Sequence, residues 1–272
     1  MSPLVTSHET SLRTPRVSVV IPALNEARNL PHVLAALPPD VFEVLVVDGE
    51  SVDGTMEVAR RLRPDVRVVH QTRRGKGNAL TCGLTVARGD IVVTMDADGS
   101  NDPAEIPRFV AALLAGADFA KGTRFAAGGG SADLTWVRRT GNRVLIGLFN
   151  AAFGTRFTDL CYGFNALWTD HLAALELDAA PGAGGEDGPV WGDGFEFETL
   201  LAGRVSGAGL RIAEVPSFEH RRLFGVSKLR AVPDGLRIVR TIFRERCRTE
   251  QDELDRALPA VLDRSLSLPE GR

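Results

Sequence analysis

The first half of the chain alternates short runs of β-branched residues with helical patterns, and this alternation constrains the fold more than any other feature. Each run is almost wholly apolar, which is typical of strands that are buried on both faces of a parallel sheet. Four strand–helix pairs follow one another: Val17 to Ile21 with Ala27 to Leu37, Val44 to Val47 with Thr55 to Leu62, Val66 to Val69 with Gly77 to Ala87, and Ile91 to Thr94 with Ala104 to Leu114. The pattern predicts an α/β fold with a mostly parallel, Rossmann-like sheet flanked by helices.

Composition excludes several other classes of protein. Of the 272 residues, 44% are hydrophobic and 25% are charged, with a net charge of -3, so the chain is not disordered as a whole. Its three cysteines lack the CxxC spacing of a zinc site. The longest apolar run, Val144 to Gly154, is too short to span a bilayer, and the N-terminus has no signal-peptide core. We expect a cytoplasmic protein, and a peripheral position at the inner face of the cell membrane is a further expectation.

The second half is less regular. Apolar residues at helical spacing predict an amphipathic helix over Leu134 to Phe153, and the Gly/Pro/Ala-rich stretch Ala179 to Pro189 predicts a mobile loop. A helix near Phe195 to Val205, a strand near Leu210 to Val215 and a basic final helix from about Leu229 to Arg246 complete the pattern.

Acidic, turn-like residues follow three of the predicted strands. In a parallel α/β sheet, ligands bind beyond the carboxyl ends of the strands, so these residues are candidates for chemistry. Asp96 and Asp98 emerge directly after the strand Ile91 to Thr94, and paired carboxylates suit Mg²⁺ or Mn²⁺ shared with a diphosphate. The alternative is a solvated acidic turn, because Asp, Gly, Asn and Pro all form turns.

Two neighbouring segments carry further candidates for nucleotide binding. Asp48 ends the second strand, and Asp53 either accepts hydrogen bonds from a base or ribose or caps the following helix. Lys76 lies in an RRGKGN turn whose glycines allow close approach of the backbone to a ligand. This turn is not a Walker A loop, because the GxxxxGK[ST] spacing is missing.

Five motifs follow one another along the chain: VSVVIPALNEARNL, VVDGESVDGT, RRGKGNAL, VVTMDADGSNDP and KGTRF. Together they resemble glycosyltransferase family 2, most of all its polyprenyl-phosphate (dolichyl-phosphate) mannosyl- or glucosyltransferase branch. The resemblance extends from about Val17 to about Arg246. It implies a GT-A fold, a nucleotide-diphosphosugar donor, a divalent metal and inversion at the anomeric carbon. The positions that match the family's donor and metal sites are Pro22, Leu24, Glu26, Asp48 and Asp53 for the base and ribose, Asp96 and Asp98 for the metal and diphosphate, and Arg124 for the donor phosphates. Ser100 stands where relatives place a Gln ligand.

Three later segments, DLCYGFNALW, DGFEFETLL and FEHRRLFGVSKL, also resemble that branch and supply candidates for the acceptor side. A phosphate acceptor needs cations, for which Arg222, Lys228 and either Arg138 or Arg139 are candidates. A hydroxyl acceptor needs a base, for which we select Asp193 and Glu196, although a helix cap and a surface charge explain them nearly as well. Asp159 is a weaker candidate that would orient the acceptor or the sugar.

These assignments divide the chain into a disordered N-terminal tail over residues 1 to 15, a nucleotide-sugar-binding half over 16 to 125, an acceptor-binding half of the same domain over 126 to 249, and a charged C-terminal tail over 250 to 272. We expect a metal-dependent, inverting glycosyltransferase that moves a hexose from a UDP- or GDP-sugar to a polyprenyl phosphate. Transfer to a soluble hydroxyl acceptor and, less strongly supported, a non-catalytic nucleotide-sugar binding protein are the alternatives. No nucleic-acid partner is expected, because aromatic residues do not interleave with the basic stretch.

Overall fold

A computed structural model describes residues 14–179, 190–226 and 228–266. The predicted N-terminal tail, except its last two residues, and the predicted loop after Ala179 lie outside the described residues. The strands are β1 (Val17–Ala23), β2 (Glu43–Asp48), β3 (Arg67–His70), β4 (Ile91–Thr94), β5 (Phe119–Thr123), β6 (Gly130–Ser131), β7 (Asn165–Trp168), β8 (Ile212–Pro216) and β9 (Phe218–Glu219). The α-helices are α1 (Leu30–Ala36), α2 (Thr55–Leu62), α3 (Lys76–Val86), α4 (Ile106–Leu114), α5 (Trp136–Phe153), α6 (Phe197–Gly207) and α7 (Ala231–Leu266), and 3-10 turns cover Pro103–Glu105 and Thr169–Leu175.

Seven strands form one mostly parallel sheet in the order β3-β2-β1-β4-β7-β5-β8, which confirms the predicted fold class. All four strands predicted in the first half are present and pair in parallel. Strand β7 is antiparallel to both of its neighbours, β4 and β5. A strand from the second half of the sequence therefore lies inside the sheet, so that both halves contribute to one β-layer.

Helices cover both faces of the sheet, because successive strand residues point to opposite sides. Val19 and Ile21 of β1 pack with α1, α2 and α4, whereas Val20 packs with α3 and α6 on the other face. Helix α3 approaches the sheet closely at Gly83, where an added Cβ would lie 2.3 Å from Val20. This close packing fixes the N-terminus of α3 near the carboxyl ends of β1 and β4.

Helices α5, α6 and α7 enclose a third core, in which Phe149 and Phe157 pack with Ile238 and Ile242. The charged tail predicted from residue 250 is wrong over most of its length, because α7 continues to Leu266. Polar pairs at helical spacing explain part of the extension: Arg246 contacts Glu250 at 2.9 Å and thus links one turn of the helix to the next. No helix within the described ranges is both long and apolar enough to cross a bilayer.

Candidate active site

Two adjoining cavities open at the carboxyl edge of the sheet. The first, which we call the edge cavity, has a volume of about 230 Å³ and lies over β1 and β2. The second, the helix cavity, has a volume of about 310 Å³ and lies between the sheet edge, α5 and α7. Five residues line both cavities and mark their junction: Lys76, Asp96, Asp98, Phe195 and Arg222.

The two predicted metal carboxylates lie at this junction. The turn that carries them is held by hydrogen bonds from its own backbone: the amide of Asp96 donates to Asn101 Oδ1 at 2.7 Å, and the amide of Ser100 donates to Asp98 Oδ1 at 2.9 Å. Each carboxylate also contacts a cation, since Asp96 Oδ1 lies 2.5 Å from Lys76 Nζ and Asp98 Oδ2 lies 2.7 Å from Arg222 Nη2. The DADGS segment is therefore an organised part of a cavity rather than a solvated acidic turn.

The donor atoms at the junction are carboxylate oxygens, which suit a hard divalent cation. Within the described ranges, no three His, Cys, Asp or Glu side chains converge closely enough to form a metal site. Asp96 and Asp98 thus fit a metal only if further oxygens come from a diphosphate or from water. The hydroxyl-bearing residue Ser100 lines the helix cavity beside them.

Lys76 is presented by a tightly constrained turn at the start of α3. An added Cβ at Gly75 would lie 2.0 Å from the carbonyl oxygen of Asp193, and one at Gly77 would lie 1.9 Å from that of Gly192. Burial opposes the charged form of Lys76, but the carboxylates of Asp96 and Glu198 raise its pKa above the ordinary value. Lys76 therefore stays cationic at the junction of the cavities.

Asp193, which we expected to face a donor sugar, lines neither the edge cavity nor the helix cavity. Its carboxylate forms a bidentate ion pair with Arg73, at 2.9 Å for both contacts, and its backbone carbonyl accepts a hydrogen bond from the amide of Gly77 at 2.8 Å. The hydrogen bond to Asp193 raises the pKa of the Arg73 guanidinium above its ordinary value. Asp193 thus fastens the turn that carries Lys76, and the structure gives no support to its role as a base.

Glu196 is likewise directed away from both cavities. It immediately precedes α6, which begins at Phe197 rather than at Asp193 or Glu196, and it is fully buried. Its Oε1 atom accepts hydrogen bonds from Arg237 at 3.0 Å and from the amide of Gly192 at 3.2 Å. These contacts satisfy Oε1, whereas Oε2 is buried without a hydrogen-bond partner among the described residues.

Arg124 lines the helix cavity but is held from behind by two acids. Asp159 contacts its Nε and Nη2 atoms, at 2.6 and 3.0 Å, and both oxygens of Glu219 lie 3.1 Å from Nη1. Burial opposes the charge on Arg124, but Asp159 and Glu219 raise its pKa. Asp159 is fully buried and does not line either cavity, so its expected direct contact with an acceptor is not supported; it orients Arg124 instead.

The predicted base and ribose residues are only partly brought together. Pro22, Leu24 and Glu26 line the edge cavity. Asp48 and Asp53 do not line it: Asp48 accepts a hydrogen bond from the amide of Ser51, and Asp53 accepts bonds from the amides of Ala27 and Thr55. Both acids therefore shape the loops around the edge cavity.

The basic segment after β9 lines the edge cavity as well as the helix cavity. Lys228 lines the edge cavity, and its Nζ donates to the carbonyl of Leu24 at 2.6 Å. Its assignment to the acceptor side is therefore corrected. Arg222 lines both cavities, and its Nη1 atom also contacts Glu26 Oε1 at 3.0 Å. Of the two alternative arginines in α5, Arg138 lines the helix cavity, whereas Arg139 lies beside a separate groove.

Several residues at the site were not singled out from the sequence. Gln71 lines the edge cavity, Phe195 separates the two cavities, and Asn142 lies on the floor of the helix cavity. Glu198 is buried behind Lys76, and burial raises the pKa of its carboxyl despite the opposing charges of Lys121 and Lys76. Phe195 and Glu198 belong to the DGFEFETLL segment, so the resemblance of that segment was the available signal.

The helix cavity combines a charged floor with apolar walls. The floor carries the cations Lys76, Arg124 and Arg222 together with their carboxylate partners Asp96, Glu219 and Asp98, and the walls above it are formed by α5 and by the beginning of α7. The apolar wall residues are Leu134, Val137, Leu145, Leu229, Val232 and Ile238.

The mostly parallel sheet flanked by helices has the GT-A fold of glycosyltransferases, and paired carboxylates and two adjoining cavities lie at its carboxyl edge. The model of "Glycosyl transferase family 2" matches residues 18–173, and the chain belongs to this family of enzymes. An undecaprenyl-phosphate mannosyltransferase of Micrococcus luteus is 34% identical over 79% of this chain and 87% of its own length. A polyprenol monophosphomannose synthase of Mycolicibacterium smegmatis is also 34% identical, over 79% of this chain and 82% of its own length.

Among solved structures, the chain is similar to glucosyl-3-phosphoglycerate synthase from Mycobacterium tuberculosis in complex with Mn²⁺, UDP and glucosyl-3-phosphoglycerate. The TM-score is 0.64 with 26% sequence identity, covering 85% of this chain and 80% of the other.

Proposed function

We propose that the protein transfers a hexose, with mannose as the first candidate, from a nucleotide-diphosphate sugar to a polyprenyl phosphate, assisted by a divalent cation. The helix cavity is the observation that carries this proposal, because it joins lysine and arginine side chains that suit a phosphate to apolar walls that suit an isoprenoid chain. Two bacterial relatives are named undecaprenyl-phosphate mannosyltransferase and polyprenol monophosphomannose synthase. These names support the same acceptor.

The two cavities suit the two substrates of this reaction. The nucleotide lies in the edge cavity, and its diphosphate reaches the junction near Lys76 and Arg222. The acceptor phosphate lies on the floor of the helix cavity beside Arg124 and Arg138, which it shares with their carboxylate partners Glu219 and Asp133. Asp96 and Asp98 would hold Mg²⁺ or Mn²⁺ together with the diphosphate, and the cation would supply positive charge to the leaving group.

In the chemical step, an oxygen of the acceptor phosphate forms a bond to the anomeric carbon. The bond between that carbon and the diphosphate oxygen breaks, and the nucleoside diphosphate leaves with the bonding electron pair. In-line attack opposite the leaving group inverts the anomeric centre. Lys76 and Arg222 stabilise the charge that develops on the diphosphate.

A phosphate acceptor needs no protein base, because its attacking oxygen is already anionic. This requirement agrees with the burial of Asp193 and Glu196 in ion pairs away from both cavities. A soluble hydroxyl acceptor remains the rival, since the similar solved synthase was crystallised with a glucosyl-3-phosphoglycerate product. That rival requires a base among other carboxylates of the helix cavity, such as Asp133 or Asp234.

We further propose that α5 and the start of α7 contact the membrane surface that holds the acceptor. Trp136 and Val144 of α5 are 78% and 66% exposed, and Val232 and Leu236 of α7 are 73% and 67% exposed. Val137 and Val232 are exposed and also line the helix cavity, so the exposed apolar side chains adjoin the proposed path of the lipid chain.

The proposed function is tested with undecaprenyl phosphate in vesicles and a panel of radiolabelled donors that includes GDP-mannose and UDP-glucose. We expect label in the lipid phase with one donor, loss of transfer with EDTA, and loss of transfer in Asp98→Asn. Transfer only to soluble hydroxyl acceptors would reject the lipid acceptor, and undiminished transfer in EDTA would reject the metal.

Arg138 and Arg139 form a matched pair for the acceptor site, since they are adjacent in α5 but line different cavities. Arg138→Gln is expected to raise the KM for undecaprenyl phosphate, and Arg139→Gln is expected to leave it unchanged. Equal effects of the two substitutions would contradict the proposed position of the acceptor phosphate.

A further inference from the structure

Both carboxylates of the Asp96–Asp98 pair already hold a cation that the protein itself supplies. The Lys76 ammonium lies 2.5 Å from Asp96, and the Arg222 guanidinium lies 2.7 Å from Asp98. A divalent ion that binds these same oxygens must displace both groups, because cations at such short distances repel one another strongly at a partly buried site. The metal therefore competes with two side chains for its ligands.

Each of the two cations has a second carboxylate close at hand. Arg222 Nη1 lies 3.0 Å from Glu26 Oε1. Near Lys76, an added Cβ at Gly163 would lie 2.9 Å from Lys76 Nζ, 3.2 Å from Glu198 Oε1 and 3.5 Å from Asp96 Oδ2. Glu198 Oε1 is buried and has no hydrogen-bond partner among the described residues. Glu26 and Glu198 thus keep the displaced cations at the junction of the cavities.

The segment that carries Arg222 is fixed by its backbone on both sides of the donor site. The amide of His220 donates to the carbonyl of Ser100 at 2.8 Å, and the amide of Leu223 donates to the carbonyl of Asp98 at 3.1 Å. On the other side, the amide of Phe224 donates to Asn29 Oδ1 at 2.9 Å. With the backbone fixed, the guanidinium leaves Asp98 by rotation of its side chain alone.

We propose that Lys76 and Arg222 are exchangeable counter-ions, which neutralise the metal carboxylates in the free enzyme and pass to the donor diphosphate when metal and donor bind. The identity of the diphosphate rests on the proposed function, whereas the competition with metal does not. Metal alone binds weakly because it separates Lys76 from Asp96 and Arg222 from Asp98. A bound diphosphate offers both cations new anionic partners and so removes this cost. Metal and nucleotide therefore strengthen each other's binding by the same factor.

Arg222→Gln tests the exchange, because the loss of this side chain is expected to strengthen the binding of Mn²⁺ rather than to weaken it. Removal of this cation frees Asp98, so the variant is expected to bind Mn²⁺ alone about ten-fold more tightly than wild type, the effect of one charge-assisted contact. Mn²⁺ binding is measured by electron paramagnetic resonance without nucleotide and again with UDP or GDP. The factor by which nucleotide strengthens Mn²⁺ binding is expected to fall by about the same amount, because the diphosphate loses one acceptor contact.

The neighbouring residue provides the matched control. Arg221 belongs to the same segment, and its Nε donates to the carbonyl of Ala132 at 3.2 Å. Arg221→Gln is expected to bind Mn²⁺ as wild type does, and Arg222→Lys, which keeps the charge, is expected to lie between wild type and Arg222→Gln. Hydrogen exchange at the amides of His220 and Leu223 should show the same protection in all variants, which verifies that the segment is folded.

Mn²⁺ binding by Arg222→Gln that equals or is weaker than that of wild type would overturn the exchange. Tighter Mn²⁺ binding with no effect of any nucleotide diphosphate would overturn the transfer of the cations to the donor, together with the proposed donor. Tighter Mn²⁺ binding and a reduced effect of nucleotide would support both halves of the proposal.

Discussion

The ion pair between Arg124 and Asp159 gives a quantitative test of how the site is held. Asp159 accepts five hydrogen bonds: Oδ2 accepts from the amide and Nε of Arg124, and Oδ1 accepts from Arg124 Nη2, Asn142 Nδ2 and the amide of Cys161. In Asp159→Asn, one of the two oxygens becomes an amino group that faces at least two donors. Arg124 keeps Glu219 as a partner, so the site loses one of two counter-charges.

We expect Asp159→Asn to lower the free energy of unfolding by about 3 kcal/mol, which corresponds to two lost bonds to a charged group and the lower end of the range for breaking a buried ion pair. For a chain of this size, the melting temperature should fall by about 6 to 12 °C. Chemical and thermal denaturation measure the two quantities, and turnover should fall because Arg124 is no longer oriented.

Glu250→Gln is the control for this experiment. It removes an exposed pair with Arg246, one turn away on α7, and should cost less than about 0.5 kcal/mol. A loss of under about 1 kcal/mol in Asp159→Asn would refute the reasoning, because a buried carboxylate with five donors cannot be neutralised at the cost of a surface pair.

Three further predictions follow from particular contacts. Gly77→Ala should abolish nucleotide binding and destabilise the fold, since its Cβ would lie 1.9 Å from the Gly192 carbonyl oxygen. Calorimetry with UDP and GDP measures the loss of binding, and wild-type affinity would contradict the prediction. Burial raises the pKa of Cys161 to about 12. Mass spectrometry should therefore find Cys161, which lines the helix cavity, much less modified by iodoacetamide at pH 8 than the exposed Cys247; equal modification would contradict the raised pKa. Burial opposes the charge on Asp159, but Arg124 holds the pKa of that carboxyl below its ordinary value. The contribution of the ionised Asp159 to folding stability should therefore be complete at about pH 7. It should decline as the pH falls through the unfolded-state pKa of about 3.9 towards the folded-state pKa. Asp159→Asn should show a shallower decline in denaturation experiments between pH 7 and 3, and an unchanged slope would contradict this assignment.

The sheet and the position of the site were predictable because their signals are local. Apolar runs such as Ile91–Thr94 and the acidic turn that follows it lie within about ten residues of one another, and both are where the pattern placed them. Strand β7 was not predicted, because a four-residue run gives no indication that it pairs antiparallel with β4 and β5.

The partners of the charged side chains could not be predicted, because they come from distant parts of the chain. Arg73 and Asp193 are 120 residues apart, and Arg222 and Glu26 are 196 residues apart. Sequence spacing around Asp193 suggested a carboxylate that faces a substrate, whereas tertiary contacts direct it to an arginine beneath the site. The resemblance identified the segments that matter, and only the fold distinguished residues that line a cavity from residues that support its walls.

The central claim is that Asp96, Asp98 and the donor diphosphate bind one divalent cation together. Electron paramagnetic resonance of bound Mn²⁺ with ¹⁷O-labelled UDP or GDP tests it directly, because ¹⁷O in the first coordination sphere broadens the Mn²⁺ lines. We predict broadening with the labelled diphosphate in the wild-type protein and no such bound species in Asp98→Asn. Bound Mn²⁺ with unbroadened lines, or the same broadened signal in Asp98→Asn, would contradict the claim.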